Sequence, residues 1–421
     1  MRRALTLFLL LVAGLLAACG KNNNSTPNAQ LRFFLAIPDS TAVNVRLNSD
    51  TTNFQSGISY QSLSAYKDIT AGSQTLNVLD SNGVTELTSG YTFGGASKYT
   101  LILNGRAASA GGLLLQDDTT NPASGNFKIR MVNVGSISVD FYLLTSAQNV
   151  ATSSPTTLGV GVGTTNNYTE IAKGDYRIVL TVPGSKDVVY DSGVSTYADQ
   201  AVVTMIAYAT GSSKLVNGAI INGTTLTLPT NPYARIKTVQ TTPDVPLMDV
   251  LVDNVVTFSN VPYQASSSYT TVNSGTHGFK AQATATPGTF LANTNLTLGG
   301  GKDYTIVTNG KQGIVTLVQL TDVNFTPGLN KARVRVVNAG LGGTSVDTLV
   351  NFVKQLSATQ VNGASDYLEL DANTYAFTFT NSGTTQAVVS LPSVTLTAGT
   401  RYTIYLVGSS PNLQGAVTVD N

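Results

Sequence analysis

Apolar and polar residues alternate in short runs along this chain. Ala332, Val334 and Val336 alternate with Arg333 and Arg335, the period-two pattern of a strand with one buried face. Related runs are LRFFLAI at 31–37, KIRMVNV at 128–134 and RIKTVQ at 235–240. Gly, Asn and Ser clusters separate short strand-like runs, a spacing that predicts antiparallel sandwiches. No helical period of comparable strength occurs. The segment TLVNFVKQLSATQ at 348–360 allows a turn or two of helix, although its Val and Thr content also permits strand.

These runs are landmarks of a long internal repeat. Taking Arg32, Arg130, Lys237 and Arg335 as equivalent gives spacings of 98, 107 and 98 residues, which are domain lengths. A tyrosine followed three residues later by an aliphatic residue and then a turn lies near each repeat's middle: YKDITAG from Tyr66, YTEIAKG from Tyr168, YTTVNSG from Tyr269 and YLELDAN from Tyr367. A third landmark, KYTLILNG, DYTIVTNG or RYTIYLVG, places Tyr99, Tyr304 and Tyr402 each 67 residues after the basic residue. Repeat two departs, with QAVVTMIAYATG at 200–211. Pro122, Pro229 and Pro327 each stand eight residues before a basic landmark. Proline restricts the chain and has no N–H to pair, so linkers are expected near 119–125, 224–230 and 323–330. The expected domains are 30–118, 126–223, 231–322 and 331–421, each an immunoglobulin-like sandwich in an all-β chain. Short proline linkers between them suggest a modular stalk with limited motion between domains.

The opening strand continuing through PDVPLMDVLVDN at 243–254, the Y-x-x-V turn and DYTIVTNG together resemble the bacterial domain-of-unknown-function 4397 family. The junctions DDTTNPASGNFKIRMVNVG and TDVNFTPGLNKARVRVVNAG are similar to those between its tandem copies. The resemblance covers essentially 30–421 and implies an extracytoplasmic β domain without assigning an activity. Repeat one carries Asn44 where the others carry Asp140, Asp249 and Asp347, which argues against an indispensable ligand at that position.

The N-terminus supplies an address. Arg2 and Arg3 precede an apolar run from Ala4 to Ala18, shorter than the roughly 20 residues of a spanning helix. The run ends in Leu16-Ala17-Ala18-Cys19, similar to a bacterial lipobox, so 1–18 reads as a signal peptide and Cys19 as the lipid attachment site. More than one acyl chain gives firm anchoring, at about 0.8 kcal/mol per buried methylene. Gly20 stands where an aspartate would favour inner-membrane retention, as implied by the lipoprotein family. The cell envelope is therefore expected, with the outer membrane ahead of the inner. Residues 19–29 read as the lipidated terminus and a polar tether.

Charge narrows the partners. The formal net charge of +1 becomes −1 once the two leader arginines are removed, which gives no long-range field for nucleic acid. The lone cysteine rules out an internal disulfide and a thiolate metal cluster. His277, in SGTHGFK, reads as a turn residue; a Ser-His-Asp triad would have to use it. Gly299-Gly300-Gly301-Lys302 lacks the phosphate-loop spacing, and GVGVG at 159–163 lacks a following helix. Asp117, Asp118 and Asp322 at two junctions read as turn caps, with calcium rigidification the sharper alternative. Asp68, Glu170 and Glu369, two residues past the middle tyrosines, are expected to meet Arg32, Arg130 and Arg335 across an exposed sheet face. The tyrosines are expected mainly in core or corner packing.

The sequence thus predicts a noncatalytic, lipid-anchored envelope protein that needs no cofactor and presents sandwiches for binding or spacing. Expected partners are the membrane, through the lipid, and an envelope protein or polysaccharide. The alternative is an envelope hydrolase with an unrecognised acidic site.

Overall fold

A computed structural model describes residues 27–40 and 42–420; the leader and Cys19 lie outside the described residues. Those residues form strands and loops with no helix, arranged as four sandwiches on one plan. In the first, one sheet has the order Lys67–Ile69, Ala29–Leu35, Lys98–Arg106, Ser109–Gln116. The facing sheet runs Gln55–Ile58, Val43–Leu47, Gly72–Leu79, Thr85–Phe93. The ambiguous stretch near 348–360 forms a hairpin of Val346–Val350 and Val353–Thr359, as its β-branched content allows.

One pairing departs from the expected antiparallel plan. The opening strand of every sandwich lies parallel to the strand that carries the third landmark. Parallel neighbours cannot be joined by a tight hairpin, and here the chain crosses the second sheet between them. The register places Arg32, Arg130, Lys237 and Arg335 opposite Thr100, Thr204, Thr305 and Thr403.

Alternation along the opening strands sends one set of residues into each sandwich. Leu31, Phe33 and Leu35 join Val45, Leu76 and Leu101 in the first core, and Val334 and Val336 join Phe377 and Ile404 in the fourth. The opposite face is also buried, by a neighbouring sandwich. Phe34, Ala36 and Ile102 of the first pack on Val132, Val134, Ile206 and Tyr208 of the second. Val239 and Val307 of the third pack on Val337, Tyr405 and Val407 of the fourth. Aromatic edges tighten the first contact, where Tyr208 stands edge-on to Phe34 and Tyr60.

This packing corrects the stalk expectation. The first and second sandwiches lie sheet face to sheet face, as do the third and fourth. Polar contacts join the pairs: Ser212 Oγ donates to Asp303 at 2.6 Å, and Arg106 meets Glu369 at 2.5 Å. The linkers reverse the chain onto itself because the outer face of each opening-strand sheet is apolar beyond its basic residue, and exposed apolar area favours burial. Residues 225–227, expected within a linker, instead add a strand to Asn217–Asn222.

Candidate functional site: paired cationic clusters between sandwiches

The four basic landmarks are nearly inaccessible, with relative exposures of 4% for Arg32, 6% for Arg130, and 1% each for Lys237 and Arg335. Buried charge is costly unless paired and hydrogen-bonded, so their partners decide the site's character. The expected partners are not the ones found. Asp68 accepts from Gln30, Glu170 from the Ala123 N–H and Asn126, and Glu369 from Arg106 and the Gly328 N–H. The carboxylates that reach the landmarks come from the ends of the last long strands.

Between the third and fourth sandwiches the pairs are reciprocal. Arg335 donates to Asp322 at 2.5 Å, and Lys237 donates to Asp420. Thr305 and Tyr269 also donate to Asp322, at 2.7 and 2.5 Å, while Thr403 donates to Asp420 at 2.5 Å. Between the first and second sandwiches Arg130 reaches Asp117 at 3.1 Å, with Thr100 and Tyr66 donating to the same carboxylate at 2.7 Å each. Arg32 lies 3.7 Å from Asp117 and donates its Nη1 to the Gly223 carbonyl at 2.7 Å.

The middle tyrosines are platforms for these cations and lie outside the sandwich cores. Arg32 stands 4.4 Å over Tyr66, Arg130 4.8 Å over Tyr168, Lys237 5.1 Å over Tyr269 and Arg335 5.1 Å over Tyr367. A desolvated cation over an aromatic face gains more than an exposed one. Burial, reinforced by the nearby Asp322 charge, pushes the Tyr269 hydroxyl well above its ordinary value and keeps it a donor. The late tyrosines act as corners: Tyr99, Tyr304 and Tyr402 each accept the N–H of the residue five positions upstream, at 2.9, 2.8 and 3.0 Å.

Asp117 and Asp322 are thus interface pairs, a correction to the turn-cap expectation. Of the three junction aspartates, Asp118 alone caps a turn, accepting the Thr120 N–H at 2.9 Å and Lys128 at 2.5 Å. Burial works to raise its carboxyl, but these donors outweigh that and bring it to about 2. Among the described residues no group of three metal-ligating side chains occurs.

His277 lies within the strand Gly275–Ala283, not in a turn. Its Nδ1 faces Asp253 at 2.7 Å and its Nε2 the Asn273 carbonyl at 2.9 Å, so neither ring nitrogen addresses a nucleophile. The Gly299–Lys302 turn meets the second sandwich. A Cβ on Gly300 would fall 1.9 Å from the Asn231 carbonyl oxygen, and Thr210 donates to the Gly301 carbonyl. Close approach to the Asn231 backbone at Gly300 and to the Asn217 side chain at Gly301, where φ is 74°, gives these glycines a structural role in place of a phosphate-binding one. GVGVG bends the chain at Gly159 and Gly163, with φ of 59° and 76°. Asp140, Asp249 and Asp347 accept the N–H groups of Gly159, Asn260 and Ala358 at 2.6, 2.8 and 2.9 Å, and Asn44 accepts Gly57 N–H at 3.1 Å, so this position pins the adjoining edge strand.

A chain of repeated all-β sandwiches joined through buried Arg–Tyr–Asp clusters is a tandem-domain protein whose repeated polar residues serve assembly. It belongs to the DUF4397 family, described as a domain of unknown function, whose sequence model matches residues 29–142, 234–349 and 332–421. Comparison with curated proteins gives no match. Among solved structures, the Bacillus anthracis TIE protein aligns at 9% identity over 87% of this chain and 65% of its own, with a TM-score of 0.17. This chain therefore spans just under two thirds of that protein's length. A family 26 carbohydrate-binding module from Eubacterium rectale Amy13K, solved with maltoheptaose, aligns at 12% identity over 44% of this chain and 95% of its own, TM-score 0.15. A candidate cell adhesion protein from Bacteroides uniformis aligns at 10% identity over 70% and 99%, TM-score 0.15.

Proposed function

We propose that this is a noncatalytic lipoprotein of the bacterial envelope, anchored through Cys19 and presenting its paired sandwiches for binding to an envelope polysaccharide or protein. The observation that carries the reading is the use of the repeated Arg, Tyr, Thr and Asp residues. They join sandwich to sandwich, and none of these groups is arranged as a nucleophile with its base. Four packed sandwiches behind a polar tether suit display of a surface. The leader and Gly20 favour the outer membrane.

Acylation is tested by labelling cells with an alkyne fatty acid. Wild-type protein is expected to carry the label and sediment with membranes, whereas Cys19→Ala loses both. A wild-type protein that is unlabelled and freely soluble overturns the anchor. Hydrolysis of envelope polysaccharide by the purified chain would overturn the noncatalytic role.

A further inference from the structure

The two sandwich pairs share one plan and differ at one carboxylate. The residue that follows the last long strand is Asp117 in the first sandwich and Asp420 in the fourth, where their N–H groups donate to Lys98 and Arg401 carbonyls at 2.8 Å. In the third, Asp322 pairs with Asp303 in register. In the second sandwich the corresponding residue is Gly223, one past Asn222, which pairs with Val203. Gly223 adopts φ of 60° in the turn to the added strand, a conformation that favours glycine, and so no side chain is supplied there.

The groups that meet a carboxylate elsewhere are still present around Gly223. Arg32, the counterpart of Lys237, has a share of Asp117 at 3.7 Å and otherwise neutral acceptors, the Gly223 carbonyl at 2.7 Å and the Thr100 hydroxyl at 2.8 Å. Thr204 and Tyr168 are counterparts of the donors to Asp322 and Asp117, yet their hydroxyls meet each other at 3.1 Å. Thr204 also accepts Arg130 Nε at 3.0 Å. Asp117 and Asp118 are already engaged by Arg130 and Lys128. Lys98 stands 5.1 Å over Tyr66 and forms no salt bridge among the described residues. Arg32, Lys98, Tyr168 and Thr204 border a cleft of about 330 Å³ between the two sandwiches, which Asp117 and Asp118 also line and which opens to solvent beside Asn222 and Thr224.

We propose that this cleft binds the carboxylate of a small acidic ligand, a uronic acid unit being the fitting class. The carboxylate takes the place of the missing aspartate, between Arg32 and Lys98, and accepts from the Tyr168 and Thr204 hydroxyls. The cleft's size suits one sugar unit, with Gln200, Asn222 and Thr224 offering polar contacts to its hydroxyls. The inference gives the ligand chemistry of the binding reading above and rests on it.

The test is ligand-detected NMR and calorimetry on the full-length protein in detergent, with D-glucuronate, D-glucose and acetate as probes. Glucuronate is expected to bind and glucose not to. Tighter binding of glucuronate than acetate assigns the slot to an acidic sugar, while equal binding assigns it to free carboxylates. Lys98→Gln removes a cation, and Asn222→Asp plants a competing carboxylate on the rim. Each is expected to weaken glucuronate about tenfold or more, the worth of a hydrogen bond to a charged group. Both positions are solvent-accessible, and unchanged thermal unfolding verifies the fold. Absence of glucuronate and acetate binding, or binding unaltered in both variants, overturns the site. Retention of the wild-type protein on isolated envelope polysaccharide tests the binding reading by itself, so failure of the slot and failure of that reading are told apart.

Discussion

Arg335 of the fourth sandwich donates to Asp322 of the third at 2.5 Å, and both side chains are fully enclosed. Asp322→Ala leaves a buried guanidinium uncompensated, and a loss of about 3–5 kcal/mol is expected. Replacing both partners with apolar residues, Arg335→Met with Asp322→Leu, is expected to cost less than the single change, because no charge is stranded. Denaturant unfolding together with hydrogen exchange in the strands Lys331–Asn338 and Asp303–Lys311 measures this. A double variant as unstable as the sum of its singles would contradict the account.

At the join between the second and third sandwiches, the Gly299–Lys302 turn closes on the carbonyl of Asn231, the residue whose side chain docks on the second sandwich. Gly300→Ala places a methyl into the Asn231 carbonyl, with the Thr230 methyl also within 3.2 Å. Overpacking of this kind costs about 1–3 kcal/mol. Exchange protection is expected to fall first around Asn231, whose side chain donates to the Val189 and Val216 carbonyls at 2.8 and 2.7 Å. Unchanged protection there would show that the junction tolerates the shift.

The repeat and its strands were legible because period-two alternation and fixed landmark spacing are local properties of the chain. The second buried face was legible only in part. In LRFFLAI, Phe34 and Ala36 follow Arg32 on the same face, so both faces are apolar, the pattern of a strand covered on two sides. Arg32 at the head of that face gave the misleading signal of an exposed surface. The true partners of the basic residues were hidden for a different reason. Asp117, Asp322 and Asp420 lie at strand ends, and only the face-to-face packing of neighbouring sandwiches brings them to each other's basic residues. The gap at Gly223 becomes visible only once the four copies are superposed on their strand register.

Phe352 occupies a turn position that suits a smaller residue. It has φ of 67° and is 79% exposed, while Asn254 holds the equivalent place in the third sandwich with the same φ. A bulky residue in the left-handed region carries strain of about 1 kcal/mol, and asparagine tolerates it. Phe352→Asn is therefore expected to raise stability by up to about 1 kcal/mol in thermal or denaturant unfolding. A loss of stability would mean that the phenyl ring makes a contact outweighing the strain.

Acid sensitivity follows from the aspartate that pins the edge strand of the fourth sandwich. The Ala358 N–H, and with it the Gly383 N–H and Ser382 hydroxyl, hold the Asp347 carboxyl down at about 2. The ionised form is thus favoured in the fold over the unfolded chain, where a carboxyl titrates near its ordinary value of about 3.9. Its stabilisation is full above about pH 4 and is lost as the pH falls toward 2. Asp347→Asn keeps an oxygen acceptor, as Asn44 does in the first sandwich, and removes the titrating group. The variant is expected to fold, to be less stable than wild type at pH 7, and to lose less stability between pH 5 and pH 2. Asp249 retains part of the dependence: burial works to raise its carboxyl, but the Thr284 hydroxyl and Asn260 N–H bring it below the ordinary value. Parallel pH–stability curves for wild type and Asp347→Asn would place the acid-sensitive group elsewhere.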